Sequence, residues 1–381
     1  MFETKTAYAN ATTLRKEAAI TASKATQESL ETLGENLPIP PFDPAIHLNF
    51  QPPSKRYTFT ELGLPVPKGV PDLCYTEPFQ LFSEEGIRMI RREIFRREFL
   101  DKYMRSWERA PCIITGFSLY ENDAKFIKSA MTHPVTQSAV NFAFGTQLKI
   151  QNGINDIGYV NVQLGPEGLK GVYKLGETPS IPLPPGQELE VSDYDSVPID
   201  GWHRDQVPVV LVLMLSDTST MSGGETAVRI GDGKVINAAG AGMGAGVMMA
   251  GAYLEHAALR ASNCSERVSM VNSYCFADPN ADDTGTSLCS VHYTHDSHAM
   301  TRNLFLENKV TRLRDRCEIA LERVRERKGK DEDPDRMEVE EWIRDQIHLL
   351  KHTGWEAFER IPDYVHRARP DDALDRYLTD A

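Results

Sequence analysis

The chain has 381 residues, 41% of them hydrophobic, and a formal net charge of −13 at pH 7. That length and apolar content suffice for one large domain with a sizeable core, and the acidic balance excludes the basic footprint that a nucleic-acid-binding surface needs. Six cysteines, at 74, 112, 264, 275, 289 and 317, include no C-x-x-C pair, which sets aside zinc-ribbon and disulfide-scaffold classes.

No apolar run reaches the roughly 18 residues of a membrane span, and the first residues lack the apolar stretch of a signal peptide. The expectation is a cytoplasmic protein with no membrane partner. Residues 8–33, rich in Ala, Thr, Lys and Glu, read as one polar helix outside the core. Ten prolines from Pro38 to Pro78 fix φ and push their preceding residues to extended geometry, predicting an irregular strap. A helix should follow Ser83, a good N-cap, with Glu84 and Glu85 at the positive end of its dipole. Ile87, Ile90, Ile94 and Leu100 give it an apolar stripe, and Arg91, Arg92, Arg96 and Arg97 a basic face expected to be solvated.

CIITGF (112–117) reads as a strand, and 123–145 as a helix broken at Pro134. IGYVNVQLG (157–165) alternates and opens a run of strands. Residues 176–200 are proline-rich, acidic and long for a connection, so they are expected to form a mobile lid, a passive insertion being the alternative. VPVVLVLML (207–215) is continuous enough for a strand buried on both faces. Gly240-Ala-Gly242-Met-Gly244-Ala245 matches the dinucleotide fingerprint literally, but no βαβ pattern surrounds it, so it reads as a turn between strands.

HYTHDSH (292–298) reads as a polar turn, with a second metal site as the alternative. Leu306, Val310, Leu313, Cys317, Leu321 and Val324 step at helical spacing. Asp333-Pro334 has the form of an N-cap followed by proline at the first helical position. It opens a second helix striped by Val339, Trp342, Ile343, Ile347 and Leu350. These helices are expected to pack on the core or to form a homodimer contact. The chain thus divides into 1–80 (helix and strap), 81–300 (core with leading helices) and 301–381 (C-terminal helices).

The chemistry concentrates in 201–276. His203-x-Asp205 on an extended segment puts two ligands on one face, because strand side chains alternate. His256 from a later strand would complete two imidazoles and one carboxylate, the facial set of non-haem Fe(II) sites with open positions opposite. Arg267-Val268-Ser269 follows eleven residues later. The plainer alternative is two partly buried histidines, with Arg267 paired to Glu266 or Glu255.

The order His-x-Asp, His, Arg-x-Ser resembles the Fe(II)/2-oxoglutarate-dependent dioxygenases over residues 145–280. Within them it is similar to the isopenicillin N synthase-like branch and to fungal-type small-molecule oxygenases of secondary metabolism. The resemblance implies a mainly β fold, a double-stranded β-helix (jelly-roll) core with flanking helices. It implies Fe(II) on His203, Asp205 and His256, with 2-oxoglutarate gripped by Arg267 and Ser269 and touched by Asn161. Gln163 stands where those relatives often carry a tyrosine. It further implies O₂ as the oxidant, release of succinate and CO₂, and a small, amino-acid-like or carboxylate-bearing substrate. Hydroxylation, desaturation and ring closure stay open, while the intact Asp205 argues against halogenation. Two alternatives remain: an oxidase of the isopenicillin N synthase kind without 2-oxoglutarate, and a catalytically silent jelly-roll binding protein.

Overall fold

The uninterrupted apolar run at Val209–Met214 becomes an interior strand of the larger of two antiparallel sheets that enclose the candidate site. The computed structural model describes residues 38–106, 110–151, 153, 156–165, 167–175, 199–238, 240–264, 266–288 and 297–358. The helix expected at 8–33 and most of 176–200 and 292–298 fall outside the described residues. Eight strands form the frame of the site: β1 (Ile157–Gln163), β2 (Asp200–His203), β3 (Val209–Met214), β4 (Thr226–Arg229), β5 (Val235–Ala238), β6 (Ala245–Met249), β7 (His256–Ala258) and β8 (Arg267–Phe276). The larger sheet carries them in the order β6-β3-β8-β1, the smaller in the order β5-β4-β7-β2.

Short strands extend the larger sheet. Tyr75–Thr76 and Phe79–Gln80 pair with β6, Ile113–Ile114 with β1, and Leu148–Ile150 with the far end of β8. The proline-rich strap therefore contains short regular pieces, including a helical turn at Pro44–His47, where the sequence suggested none. Its prolines lie between these pieces or at the first helical position, where a missing N–H costs nothing.

Period two explains how the larger sheet is used. Val210 and Val212 of β3, and Arg267, Ser269 and Ser273 of β8, line the interior cavity. Val209, Leu211, Leu213, Val268 and Met270 point the other way and are buried in the main hydrophobic cluster. The helical cover is built from α1 (Glu84–Ile94), α2 (Arg97–Tyr103), α3 (Lys125–Thr132) and α4 (Pro134–Phe144). At roughly 1.5–3 kcal/mol per fully buried aliphatic side chain, this outer layer stabilises the sheet and leaves the inner face available for polar groups.

Ser83 caps α1, its Oγ accepting the Gly86 N–H at 3.1 Å. The Ile87, Ile90 and Ile94 stripe is buried, but the helix ends at Phe95 and Leu100 belongs to α2. One residue of the basic face is not solvated. Arg91 is 0% exposed and donates to both Glu266 carboxylate oxygens, at 2.7 and 3.1 Å, and to the Leu215 carbonyl at 3.2 Å. The reason is spacing: Arg91 lies four residues after Ile87 and three before Ile94, on the buried stripe itself. Pro134 does break the next helix, and His133 Nδ1 accepts the Val135 N–H at 3.2 Å.

The turn read at 240–245 joins β5 to β6. Gly244 has φ +77°, and a Cβ there would press on backbone atoms of Phe82, so the geometry of a turn between two strands requires this glycine.

The C-terminal helices α5 (His298–Lys330) and α6 (Arg336–Phe358) differ from expectation in the face they bury. Phe305, Lys309, Arg312 and Arg316 of α5 face the core. Lys309 pairs with Asp283, Arg312 donates to the carbonyls of Asp278 and Ala281, and Arg316 to that of Pro279. Segment 278–283 presents so many acceptors that cations satisfy it better than an apolar stripe would. Val310, Leu321 and Val324 consequently remain exposed. The cap of α6 is Asp335, whose Oδ1 accepts from Met337 and Glu338, and not Asp333. No described helix is long and apolar enough to cross a membrane.

Candidate metal centre

His203 ends β2 and His256 begins β7, and the two residues are direct cross-strand partners in the smaller sheet. Their ring centroids lie 4.4 Å apart. Asp205 lies two residues past the end of β2, its N–H donating to the Gly251 carbonyl at 3.0 Å. The strand alternation expected for His-x-Asp therefore does not extend to the aspartate; a backbone hydrogen bond positions it instead. Its two carboxylate oxygens stand 3.5 Å from Nε2 of His203 and 3.5 Å from Nε2 of His256. One ligand atom from each of the three residues fits within 4.8 Å of the others, the arrangement that can hold a metal ion.

The tautomers follow from the backbone. Nδ1 of His203 donates to the Gly201 carbonyl at 2.5 Å and Nδ1 of His256 to that of Leu254 at 2.9 Å. A carbonyl only accepts, so each proton sits on Nδ1 and each Nε2 lone pair faces Asp205, the outer-sphere pattern that orients metal-bound histidines. Burial pushes the His256 imidazole below its usual range, which keeps the ring neutral.

Arg267 and Ser269 open β8 on its cavity face. Arg267 is 2% exposed; its Nε donates to the Gly224 carbonyl at 3.0 Å and its Nη1 to Ser269 Oγ at 3.3 Å. Burial pushes its guanidinium down to about 10, so it stays charged. The alternative pairings fail. Glu266 is held by Arg91, and Glu255 is held by Arg229 at 3.0 and 3.2 Å. No described carboxylate forms an ion pair with Arg267. A buried cation in that position is costly unless an anion joins it.

Asn161 stands opposite Ser269 in the β1–β8 register and lines the same cavity of about 80 Å³, with its Oδ1 buried and lacking a hydrogen-bond partner. Gln163 is absent from that wall. Its side-chain amide both donates to and accepts from the Ala261 backbone, at 3.0 and 2.8 Å, and so ties β1 to the neighbouring strand Ala261–Ser262. Tyr159 in the cavity wall and Gly251 behind Asp205 were among the residues not singled out from sequence. Tyr159 lies two positions before Asn161 on the same strand face, which its period-two offset could have revealed. Gly251 packs against Asp205, and nothing in its sequence neighbourhood marks it.

An added Cβ at Gly251 would overlap the Asp205 carboxylate, lying 2.8 Å from its Cγ. Gly251→Ala is therefore expected to rotate Asp205 away and weaken divalent-metal affinity by roughly 10–100-fold, the size of an outer-sphere defect. Titration of Mn(II) into the metal-free protein checks this, and an unchanged affinity would remove Gly251 from the site.

No protein-family model matches the sequence, and no curated protein matches it. Several solved structures are similar in part, three of them as follows. An oxidoreductase of the 2OG-Fe(II) oxygenase family from Burkholderia pseudomallei is 17% identical over 39% of this chain and 55% of that one, with a TM-score of 0.24. A Pseudomonas putida prolyl-4-hydroxylase is 14% identical over 51% and 88%, with a TM-score of 0.31. The non-heme alpha-ketoglutarate-dependent epimerase SnoN from nogalamycin biosynthesis is 13% identical over 51% and 74%, with a TM-score of 0.32. The chain thus spans little more than half the length of the first of these. These overlaps are partial, and the function proposed for the chain stands on its own residues.

Proposed function

We propose that the chain is an Fe(II)- and 2-oxoglutarate-dependent oxygenase that oxidises a small molecule. One observation carries it: two Nε2 lone pairs and a carboxylate converge in a cavity whose wall also holds a buried arginine lacking a carboxylate. The donor set suits Fe(II), with His203, Asp205 and His256 holding the metal on one side and leaving the other open. Arg267 presents a planar fork for the far carboxylate of 2-oxoglutarate, with Ser269 beside it, and the orphaned Asn161 Oδ1 lies on the same wall. The strand order favours a double-stranded β-helix, since β1, β3, β6 and β8 share one sheet while β2, β4, β5 and β7 share the other. When bound, the metal and 2-oxoglutarate supply an O₂-dependent oxidation with release of succinate and CO₂. The protein's part is to fix the tautomers, supply the countercharge and exclude water. A cytoplasmic setting and a role in secondary metabolism belong to the same proposal.

Arg267→Lys tests the cosubstrate. Lysine keeps the charge but loses the two-pronged donor. Weakening a charge-assisted bond by roughly 1.5–3 kcal/mol raises the 2-oxoglutarate KM about tenfold to a hundredfold. Succinate release measured against 2-oxoglutarate concentration reads it. An unchanged KM would assign Arg267 to a substrate carboxylate instead, as in an oxidase that needs no 2-oxoglutarate.

We also propose that α5 and α6 pair with a second copy of the chain. Val339, Ile343, Ile347 and Leu350 form one stripe on α6 and are 37–53% exposed. Antiparallel self-pairing sets Val339 against Leu350 and Ile343 against Ile347, and brings Glu340 beside Lys351. A 23-residue helix is about 34 Å long and about 10–12 Å wide, so α6 alone offers roughly 350–400 Å² per copy, and α5 must supply the rest of the ~800 Å² of a standard interface. Sedimentation should show a dimer that Ile343→Glu converts to a monomer with unchanged metal affinity. A monomeric wild type at tens of micromolar would dispose of the pairing.

A further inference from the structure

A second, larger cavity of about 260 Å³ lies between the far end of β8, the strand Leu148–Ile150 and the first half of α5. Gln206 lines both this cavity and the metal cavity, and Gln206 is the neighbour of Asp205. The two spaces therefore adjoin at the metal centre.

The wall is unusual in what it leaves unsatisfied. Asp156 is 2% exposed; one carboxylate oxygen accepts the Gly153 N–H, and Oδ1 makes no hydrogen bond of normal geometry, although the side chains of Ser273 and Gln206 lie close to the carboxyl. Oε1 of Gln151 and Oε1 of Gln206 are likewise buried without partners. Two cations also line the cavity: Lys149, and Arg312, which pairs with Asp283 and donates to the carbonyls of Asp278 and Ala281 while its buried Nε makes no hydrogen bond. No described cation pairs with Asp156. Burial pushes its carboxyl up to about 7, the side chains of Ser273 and Gln206 offsetting this only in part. Buried polar groups are normally hydrogen-bonded, and a cluster of exceptions asks for a missing partner.

We propose that this cavity is the chamber for the head of the substrate and that it takes a primary ammonium group. An ammonium brings three N–H donors, no acceptor and one positive charge, which is what three orphaned oxygens and a buried carboxylate lack. A carboxylate or phosphate head would face those same oxygens and be repelled. The word substrate rests on the oxygenase reading; the binding of an amine does not.

Saturation-transfer NMR on the full, metal-free chain tests it, with n-propylamine to n-hexylamine set against the n-alkanols of equal length. The amines should bind at least about tenfold tighter than the matched alcohols. Asp156→Asn should erase that difference, and Thr311→Phe, which fills the cavity from α5, should abolish binding of both series. Thr311→Phe decides the matter if Asp156→Asn does not fold. No preference for amines, or a preference that survives either substitution, would show a chamber for water only. Mn(II) is then added, and the bound amine's methyl protons should relax faster, placing the chain end near the triad. Failure of Mn(II) to bind would overturn the oxygenase reading and leave the amine site standing, whereas failure of the amine preference does the reverse.

Discussion

Alanine at His203, Asp205 or His256 is expected to abolish stoichiometric Fe(II) binding and to lower succinate formation by about 10²–10³-fold. A metal held there would lower the reaction barrier by several kcal/mol, and each 1.36 kcal/mol is a factor of ten. Unfolding should not be the cause. The three side chains line a cavity and the fold rests on the apolar layer behind the larger sheet, so each variant should keep a cooperative melt. Anaerobic Fe(II) titration with parallel calorimetry separates the two effects. Any one variant that retains both a full equivalent of iron and turnover would dissolve the triad.

Arg91→Ala is expected to cost about 3–5 kcal/mol of stability, the range for removing one partner of a buried ion pair. The deficit arises because Glu266, 3% exposed, loses its cation and keeps, among the described side chains, the Ser216 hydroxyl donating at 3.1 Å. Replacing both partners, as in Arg91→Met with Glu266→Leu, should recover most of the loss, since well-packed apolar residues of similar volume often equal a buried pair. Urea unfolding monitored by circular dichroism reads all three proteins. A single-variant loss below about 1 kcal/mol would mean that the pair does not hold α1 to the start of β8. Glu266 immediately precedes β8, and its pairing with Arg91 commits it away from Arg267, its neighbour in the chain.

Much of the frame was legible in the sequence because it depends on local pattern. The β3 run, the α1 cap, the Pro134 break and the glycine turn before β6 all follow from a few neighbouring residues. The convergence of His203, Asp205 and His256 was legible as a spacing, although the means of holding Asp205 was not. It depends on the Gly251 carbonyl, forty-six positions away, and no local rule pairs those residues. The same limit explains Arg91 and the charged face of α5. An arginine on an apolar stripe reads as a stray until its carboxylate arrives from residue 266, and Lys309 reads as solvated until Asp283 lies beneath it. Tyr159 was legible too, since period two places it beside Asn161 on the same strand face.

The register that sets His203 opposite His256 has a consequence for the mechanics of the molecule. The smaller sheet is built from strands of only three or four residues, short enough to open locally at low cost. A metal ion held by both histidines would act as a rivet across β2 and β7, closing a loop of more than fifty residues at the point where the sheet has the fewest backbone bonds. Because such an ion binds the closed sheet and not the open one, its binding free energy would be added to the cost of prying those strands apart. The same ion that serves chemistry would thus set the stiffness of the cavity around it, and the metal-free protein would be the looser of two mechanical states.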